Sequence, residues 1–260
     1  MGTDLELALA AADLADEITL DAFRRPSLAV ELKADETPVS EADRGAEAAI
    51  RELLGRQRPE DGVLGEEMGA VSGGSRRWVL DPIDGTANFV RGVPVWGTLV
   101  GLEIDGVITV GVVSAPALGR RWWAERGGGA FAAPPGKPGN RIRVSDIAQL
   151  AEATVAYGSV ADFSDGANFL ALTHSIKRDR GFGDFWSHML VAEGACEAAL
   201  DPVVAVWDVA AIQVIVEEAG GKFTDFHGLS RLDGGSAVSS NGLVHKEVLP
   251  FLSSVGQSGR

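Results

Sequence analysis

Asp81 and Asp84 flank Pro82-Ile83, and Gly85-Thr86 follow at once. Two carboxylates three residues apart are hard oxygen ligands, which suit Mg²⁺ and leave room in its shell for water and substrate phosphate. Gly85 lets the backbone approach a ligand closely. The free N–H groups of a helix start favour an anion such as a phosphate. Cation ligands and a phosphate cradle thus share one short segment. A purely structural reading stays open beside this one, with Asp81 ending a strand and Asp84 capping a helix.

The surrounding residues say what holds that segment. Trp78-Val79-Leu80 reads as a buried strand ending at Asp81. Pro82 has no N–H to give a central strand, so a turn is expected there. Three further carboxylate positions stand beside turns. Asp43 falls in the first turn of a helix opening at Ser40. Glu66 and Glu67 follow the apolar Val63-Leu64-Gly65, and Asp208 follows Trp207 where another helix opens. Each also fits a cap or a dipole-compensating acid. Their recurrence favours a shared cation, because carboxylates brought together bare would repel one another.

The rest of the chain supplies the scaffold. Thr3-Asp4-Leu5-Glu6 is a capping box, and apolar residues from Leu5 to Ala22 keep helical spacing up to Pro26. Leu28 to Leu32 reads as a strand, Asp35 to Pro38 as a turn and Gly69 to Ser75 as a loop. Trp96 to Ile104 and Val107 to Val113 form a hairpin on Asp105-Gly106, and Arg121 to Arg126 is another strand. Gly127-Gly128-Gly129 with Ala132 imitates a dinucleotide fingerprint, but Pro134-Pro135 closes the segment and no helix follows. Pro134 to Gly139 reads as a linker. The expected division is an N-terminal α+β domain over 1–138 and a C-terminal α/β domain over 139–260. In the second unit helices are expected over Gly166 to Ile176, Asp184 to Cys196, from Asp208 to a C-cap at Gly220-Gly221, and His245 to Leu252. Strands are expected at Thr154 to Tyr157, Ala198 to Leu200, Phe223 and Ala237 to Ser239. Arg178 to Gly183 reads as a turn, and the tail from Ser253 as disordered.

Composition excludes several classes. With 37 acidic against 23 basic residues the formal charge is −14, which disfavours nucleic acid as a partner. The one cysteine, Cys196, excludes an internal disulfide framework and suits a reducing cytoplasm. No apolar run reaches membrane-spanning length, and the acidic N-terminus lacks the pattern of a secretory leader. There is no nucleophile elbow and no Walker phosphate loop. The four histidines are scattered without zinc spacing and read as surface or core residues.

Gly65-Glu66-Glu67, Asp81-Pro82-Ile83-Asp84-Gly85-Thr86, and Trp207-Asp208-Val209-Ala210-Ala211 with Glu218-Ala219-Gly220-Gly221 resemble the inositol monophosphatase superfamily of Mg²⁺-dependent phosphatases. The resemblance implies a layered αβαβα sandwich, usually a homodimer, and two or three Mg²⁺ ions per site. It implies Glu66, Asp81, the Ile83 carbonyl, Asp84 and Asp208 as metal ligands. Asp43 and Thr86 are then the pair that orients and deprotonates the attacking water, and Gly85 and Thr86 bind phosphate. Asn88 to Trp96 and Gly183-Asp184-Phe185-Trp186 resemble the histidinol-phosphate phosphatase branch. A carboxylate at Asp184 suits a cationic amine better than a neutral polyol, and Trp186 offers a cation–π face. Gly183, Asp184, Trp186 and, more loosely, Arg180 are therefore the expected substrate contacts. The function implied is hydrolysis of a small phosphorylated metabolite, histidinol phosphate. The alternatives are inositol or another sugar phosphate, or a regulatory protein that binds metal or phosphate without catalysis.

Overall fold

In the computed structural model the described residues are 2–24, 30–32, 38–163 and 166–252. Two helices, α1 (Asp4–Phe23) and α2 (Glu41–Gln57), form the first layer. The capping box that opens α1 is complete: Glu6 N donates to Thr3 Oγ1 at 3.1 Å and Thr3 N donates to Glu6 Oε2 at 2.7 Å. Such a cap stabilises a helix by about 1 kcal/mol. Between the two helices, β1 (Val30–Leu32) and β2 (Pro38–Ser40) pair antiparallel.

The second layer is an eight-stranded sheet. Its strands are β3 (Gly62–Gly65), β4 (Gly69–Val71), β5 (Arg76–Asp84), β6 (Gly97–Ile104), β7 (Val107–Ala115), β8 (Arg120–Glu125), β9 (Gly129–Ala133) and β10 (Asn140–Arg141), in the order β10-β9-β8-β7-β6-β5-β3-β4. Only β3 and β5 run parallel; the other neighbours are antiparallel. The turn between β6 and β7 uses Asp105 at φ 51° and Gly106 at φ 80°. Two positive φ values match the right-handed twist of the strands on either side.

A short helix, α3 (Thr86–Val90), follows β5. The third layer is α5 (Asp184–Ala192) with α6 (Val206–Glu218), and α4 (Gly166–Ser175) lies in the outer layer with α7 (His245–Val248). Val209 to Val216 of α6 are buried on every side, as a helix held between two sheets must be. The fourth layer is a five-stranded sheet of β11 (Thr154–Tyr157), β12 (Arg178–Gly181), β13 (Ala198–Asp201), β14 (Lys222–Thr224) and β15 (Ala237–Ser240), in the order β12-β11-β13-β15-β14. Leu7, Ile50 and Leu54 of the first layer pack on Trp78, Leu80 and Val112. Phe169, Leu172 and Val248 close the far side against Val155, Leu200 and Val238. The result is the expected αβαβα sandwich.

Four local expectations are corrected. β5 does not stop at Asp81; it runs through Pro82 to Asp84, with a register irregularity between the two aspartates. An irregular ladder asks no N–H of Pro82, so the proline is tolerated. Gly69–Val71 is not loop but an exposed edge strand on β3. Arg178–Gly181 is likewise an edge strand rather than a turn. Edge strands that bury little carry no apolar alternation, which hid both. The helix from Asp184 ends at Ala192, because Gly194 at φ 75° turns the chain before Cys196. The tail from Ser253, and Arg25–Ala29 and Lys33–Thr37 with most of the turn expected before Pro38, lie outside the described residues. No helix among the described residues is long and apolar enough to cross a membrane.

One buried ion pair fixes the first layer to the sheet. Arg121 on β8, 3% exposed, donates to Asp16 Oδ2 at 2.7 Å and to Ser114 Oγ at 2.9 Å. Ser114 Oγ in turn donates to Asp16 Oδ2 at 2.8 Å. Removing one partner of a buried pair leaves an uncompensated charge, which costs more than the intact pair contributes. Arg121→Ala is expected to lower unfolding free energy by about 3–5 kcal/mol in urea titration. A loss under about 1 kcal/mol would mean that Asp16 is neutral in the fold.

Candidate active site

The irregular end of β5 and the first turn of α6 bring Asp81, Asp84 and Asp208 together. One carboxylate oxygen from each lies within 4.8 Å of the other two. Asp208 Oδ2 also accepts from Ala205 N at 2.7 Å, so the same side chain caps its helix and joins the cluster. The capping and ligand readings of Asp208 are therefore compatible. Asp84 Oδ2 accepts from Phe185 N at 2.6 Å, which ties β5 to the start of α5. Asp81 Oδ1 is buried with no hydrogen-bond partner among the described residues.

Burial and mutual repulsion raise the pKa of all three. Burial pushes Asp81 well above the carboxylate range, and the charges of Glu66, Asp84, Asp208 and Asp43 push it further. Asp84 is raised well above that range by burial, then by Asp184 and Asp208, against the opposing Phe185 N–H. Asp208 is raised to about 7, chiefly by burial, with Glu66 and Asp201 adding to it and the Ala205 N–H opposing.

Glu66 and Asp43 stand around the trio rather than inside it. Both are near enough for their charges to act on Asp81, and Asp43 is wholly buried at the start of α2. The turn carrying Glu66 is held by Glu47, a residue nothing in the sequence pattern had marked. The Glu47 carboxylate is wholly buried and accepts from Glu67 N at 2.7 Å, Met68 N at 3.1 Å and Arg51 Nε at 2.7 Å. It occupies the space a side chain on residue 65 would need: a Cβ on Gly65 would collide with Glu47 Oε1. Thr86 heads α3, and its Oγ1 donates to the Ile83 carbonyl at 2.9 Å. Gly85 sits at φ 81°, where an added Cβ would press on Val95 O at 3.0 Å and Asp184 Oδ2 at 3.1 Å.

A cavity of about 370 Å³ opens beside the cluster. Asp84, Asp162, Asp184, Asp201 and Asp208 line it with Asn88, Gly158, Gly183 and His188, and among the described residues no lysine or arginine does. Asp184 has φ 51°, an uncommon conformation for a residue with a side chain. Its Oδ2 accepts from Asn88 Nδ2 at 3.2 Å, which holds it against the Gly85 corner. Burial raises Asp184 to about 6, Asp201 adds to the shift, and His188 opposes it. Arg180 and Trp186 do not line this cavity. Arg180 is exposed on β12 and donates to Asp179 O at 2.7 Å. Trp186 packs on Phe182, with ring centroids 4.7 Å apart. Asp201 and His188 escaped the sequence pattern: an Asp-Pro pair at a strand end and a lone helical histidine each have common structural uses.

The chemistry of the donor set suits a cation. Every group is an oxygen donor, the trio is too crowded to ionise bare, and Asp81 keeps a buried oxygen without a partner. These residues fit a hard divalent ion. Residues 3–255 match the family described as the inositol monophosphatase family. The chain belongs to the inositol monophosphatase family. As a member it is 51% identical over 253 residues to a histidinol-phosphatase of Mycobacterium tuberculosis, covering 96% of this chain and 97% of that one. A histidinol-phosphatase of Streptomyces coelicolor is 48% identical over 96% of each chain. Among solved structures, an IMPase of Thermotoga maritima superposes with TM-score 0.86 at 33% identity, covering 96% of this chain and 97% of that one. Members of this family depend on a metal, and the acidic cluster of this one accords with that.

Proposed function

We propose that this protein is a phosphomonoesterase that hydrolyses histidinol phosphate to histidinol and phosphate, with Mg²⁺ as its metal. The full-length likeness to proteins named histidinol-phosphatase carries the reading. The cavity agrees with it: its wall beside the trio is rich in carboxylates and, among the described residues, holds no lysine or arginine. Histidinol phosphate brings an ammonium and an imidazole to that wall. A neutral polyol phosphate brings no positive charge to set against Asp184 and Asp201.

In this assignment Glu66, Asp81, the Ile83 carbonyl, Asp84 and Asp208 hold the cations. Bound there, the ions would neutralise the phosphoryl oxygens, stabilise the leaving oxygen and acidify the attacking water. The chain does the rest. N–H groups of the Gly85-Thr86 corner hold phosphate oxygens at a helix start. Thr86 Oγ1 directs its hydrogen at the Ile83 carbonyl and keeps a lone pair to orient the attacking water. Asp43 takes that water's proton. Asp184 and Asp201 face the amine of the leaving group. Arg180 and Trp186 are assigned no role in it, because neither lines the cavity. The same reading places the protein in the cytoplasm as a homodimer, with its two units meeting near residue 138.

Phosphate release from a substrate panel tests the assignment. With Mg²⁺ present, kcat/KM for histidinol phosphate is expected to exceed that for inositol 1-phosphate by about 100-fold or more, the discrimination available from a charged partner lost inside a site. Faster turnover of the neutral sugar phosphates would overturn the substrate and leave the phosphatase chemistry standing.

A further inference from the structure

His188 is buried to 1% exposure yet lines the cavity. It stands one helical turn beyond Asp184 on α5, so the two share the face that meets the substrate. Its Nε2 lies 2.8 Å from Asp201 Oδ2, and its Nδ1 lies 2.7 Å from Ser239 Oγ on β15. A carboxylate accepts and does not donate, so Nε2 carries the hydrogen. Ser239, wholly buried, holds the opposite edge of the ring.

Asp201 is held through His188, which takes Oδ2, while Oδ1 lies in the space that the absent side chain of Gly158 leaves open, 2.9 Å from where a Cβ would stand. The side chain retains 13% exposure, toward the cavity.

We propose that His188 is a positioning residue for specificity: it fixes Asp201 so that its other oxygen meets the amine of the substrate. The inference rests on the histidinol phosphate reading. A carboxylate already held in place loses little freedom when a cation arrives, and binding is stronger for that. With Asp184 pinned by Asn88 on the adjoining wall, two preset carboxylates form the seat. Freed of His188, Asp201 could turn away from the amine. A neutral polyol has less to lose from that motion, because its hydroxyls can bond to either rotamer.

Steady-state kinetics on wild type, His188→Leu, His188→Gln and Ser239→Ala, each with histidinol phosphate and inositol 1-phosphate, tests this. In His188→Leu the ratio of kcat/KM for the two substrates should fall about tenfold or more, the loss lying in KM for histidinol phosphate. His188→Gln should recover most of it, because the Gln amide can donate from about where Nε2 stood. Ser239→Ala, which leaves the ring unanchored, should show the same KM shift at about threefold. Equal losses on both substrates, or no recovery with Gln, overturn the positioning role. If His188→Leu does not fold, an unchanged ratio in Ser239→Ala overturns it equally. Wild type without preference for histidinol phosphate would remove the substrate assignment and this inference together. A selective wild type whose ratio ignores His188 removes only this inference.

Discussion

Asp84→Asn leaves a folded protein whose Mg²⁺-dependent phosphate release falls on the order of 10³-fold, the scale of losing preorganised charge at a transition state. The amide oxygen still accepts from Phe185 N, so the tie between β5 and α5 survives. What is lost is negative charge. Asp84 belongs to the trio and also lines the cavity, and the charges of Asp184 and Asp208 both act on it. Removing its charge relieves repulsion, so the metal-free variant should be at least as stable as wild type. Loss of turnover together with unchanged or raised melting temperature separates a ligand from a merely structural residue. Near-normal turnover would remove Asp84 from the mechanism.

The metal-free protein is expected to lose stability as pH rises from about 4 to about 7, and Mg²⁺ to restore it. An unfolded aspartate titrates near 3.9, whereas burial and its neighbours raise Asp208 to about 7 in the fold. Between those values the folded state holds protons that the unfolded state has released. Stability therefore declines with rising pH across that window, and the share of Asp208 in that decline ends above about 7. Asp81 and Asp84 shift in the same direction. The shift of Asp208 alone is worth on the order of several kcal/mol, or about 10 °C in melting temperature. His245 acts oppositely. Burial, with Lys222 adding, lowers it to about 4, so it costs stability as pH falls from about 6.5 toward 4. Comparing melts with and without Mg²⁺ at each pH isolates the cluster, since His245 lies apart from it in contact with Thr224 and Ser240. The gain from Mg²⁺ should grow from pH 5 to pH 8. A gain that is flat with pH would mean that the cation does not compete with protons for these carboxylates.

The residues that could be read in advance are those whose chemistry is local. Asp81, Asp84, Gly85 and Thr86 share one short segment, and Asp208 opens a helix, so spacing alone suggested them. Asp184 was legible through the resemblance of Gly183-Asp184-Phe185-Trp186 to the histidinol-phosphate phosphatase branch. Glu47, His188 and Asp201 were not legible. Their meaning lies in contacts across the fold: Glu47 with Glu67 N, and His188 with Asp201 and with Ser239, 51 residues away. Strand edges failed for another reason. β4 and β12 pair through backbone while exposing most of their side chains, so neither leaves an apolar pattern. Pro82 misled in a third way. A proline excludes a regular ladder, but the irregularity that spares its N–H also sets Asp81 and Asp84 into the cluster.

Anomalous diffraction from crystals soaked in Mn²⁺, which favours the same oxygen ligands as Mg²⁺, tests the central claim most directly. The expected result is a peak within about 2.0–2.3 Å of oxygens from Asp81, Asp84 and Asp208. Chelation should abolish both that peak and phosphate release, and Mg²⁺ should restore the latter. No peak at the trio, in a protein that still releases phosphate after exhaustive chelation, would contradict the account.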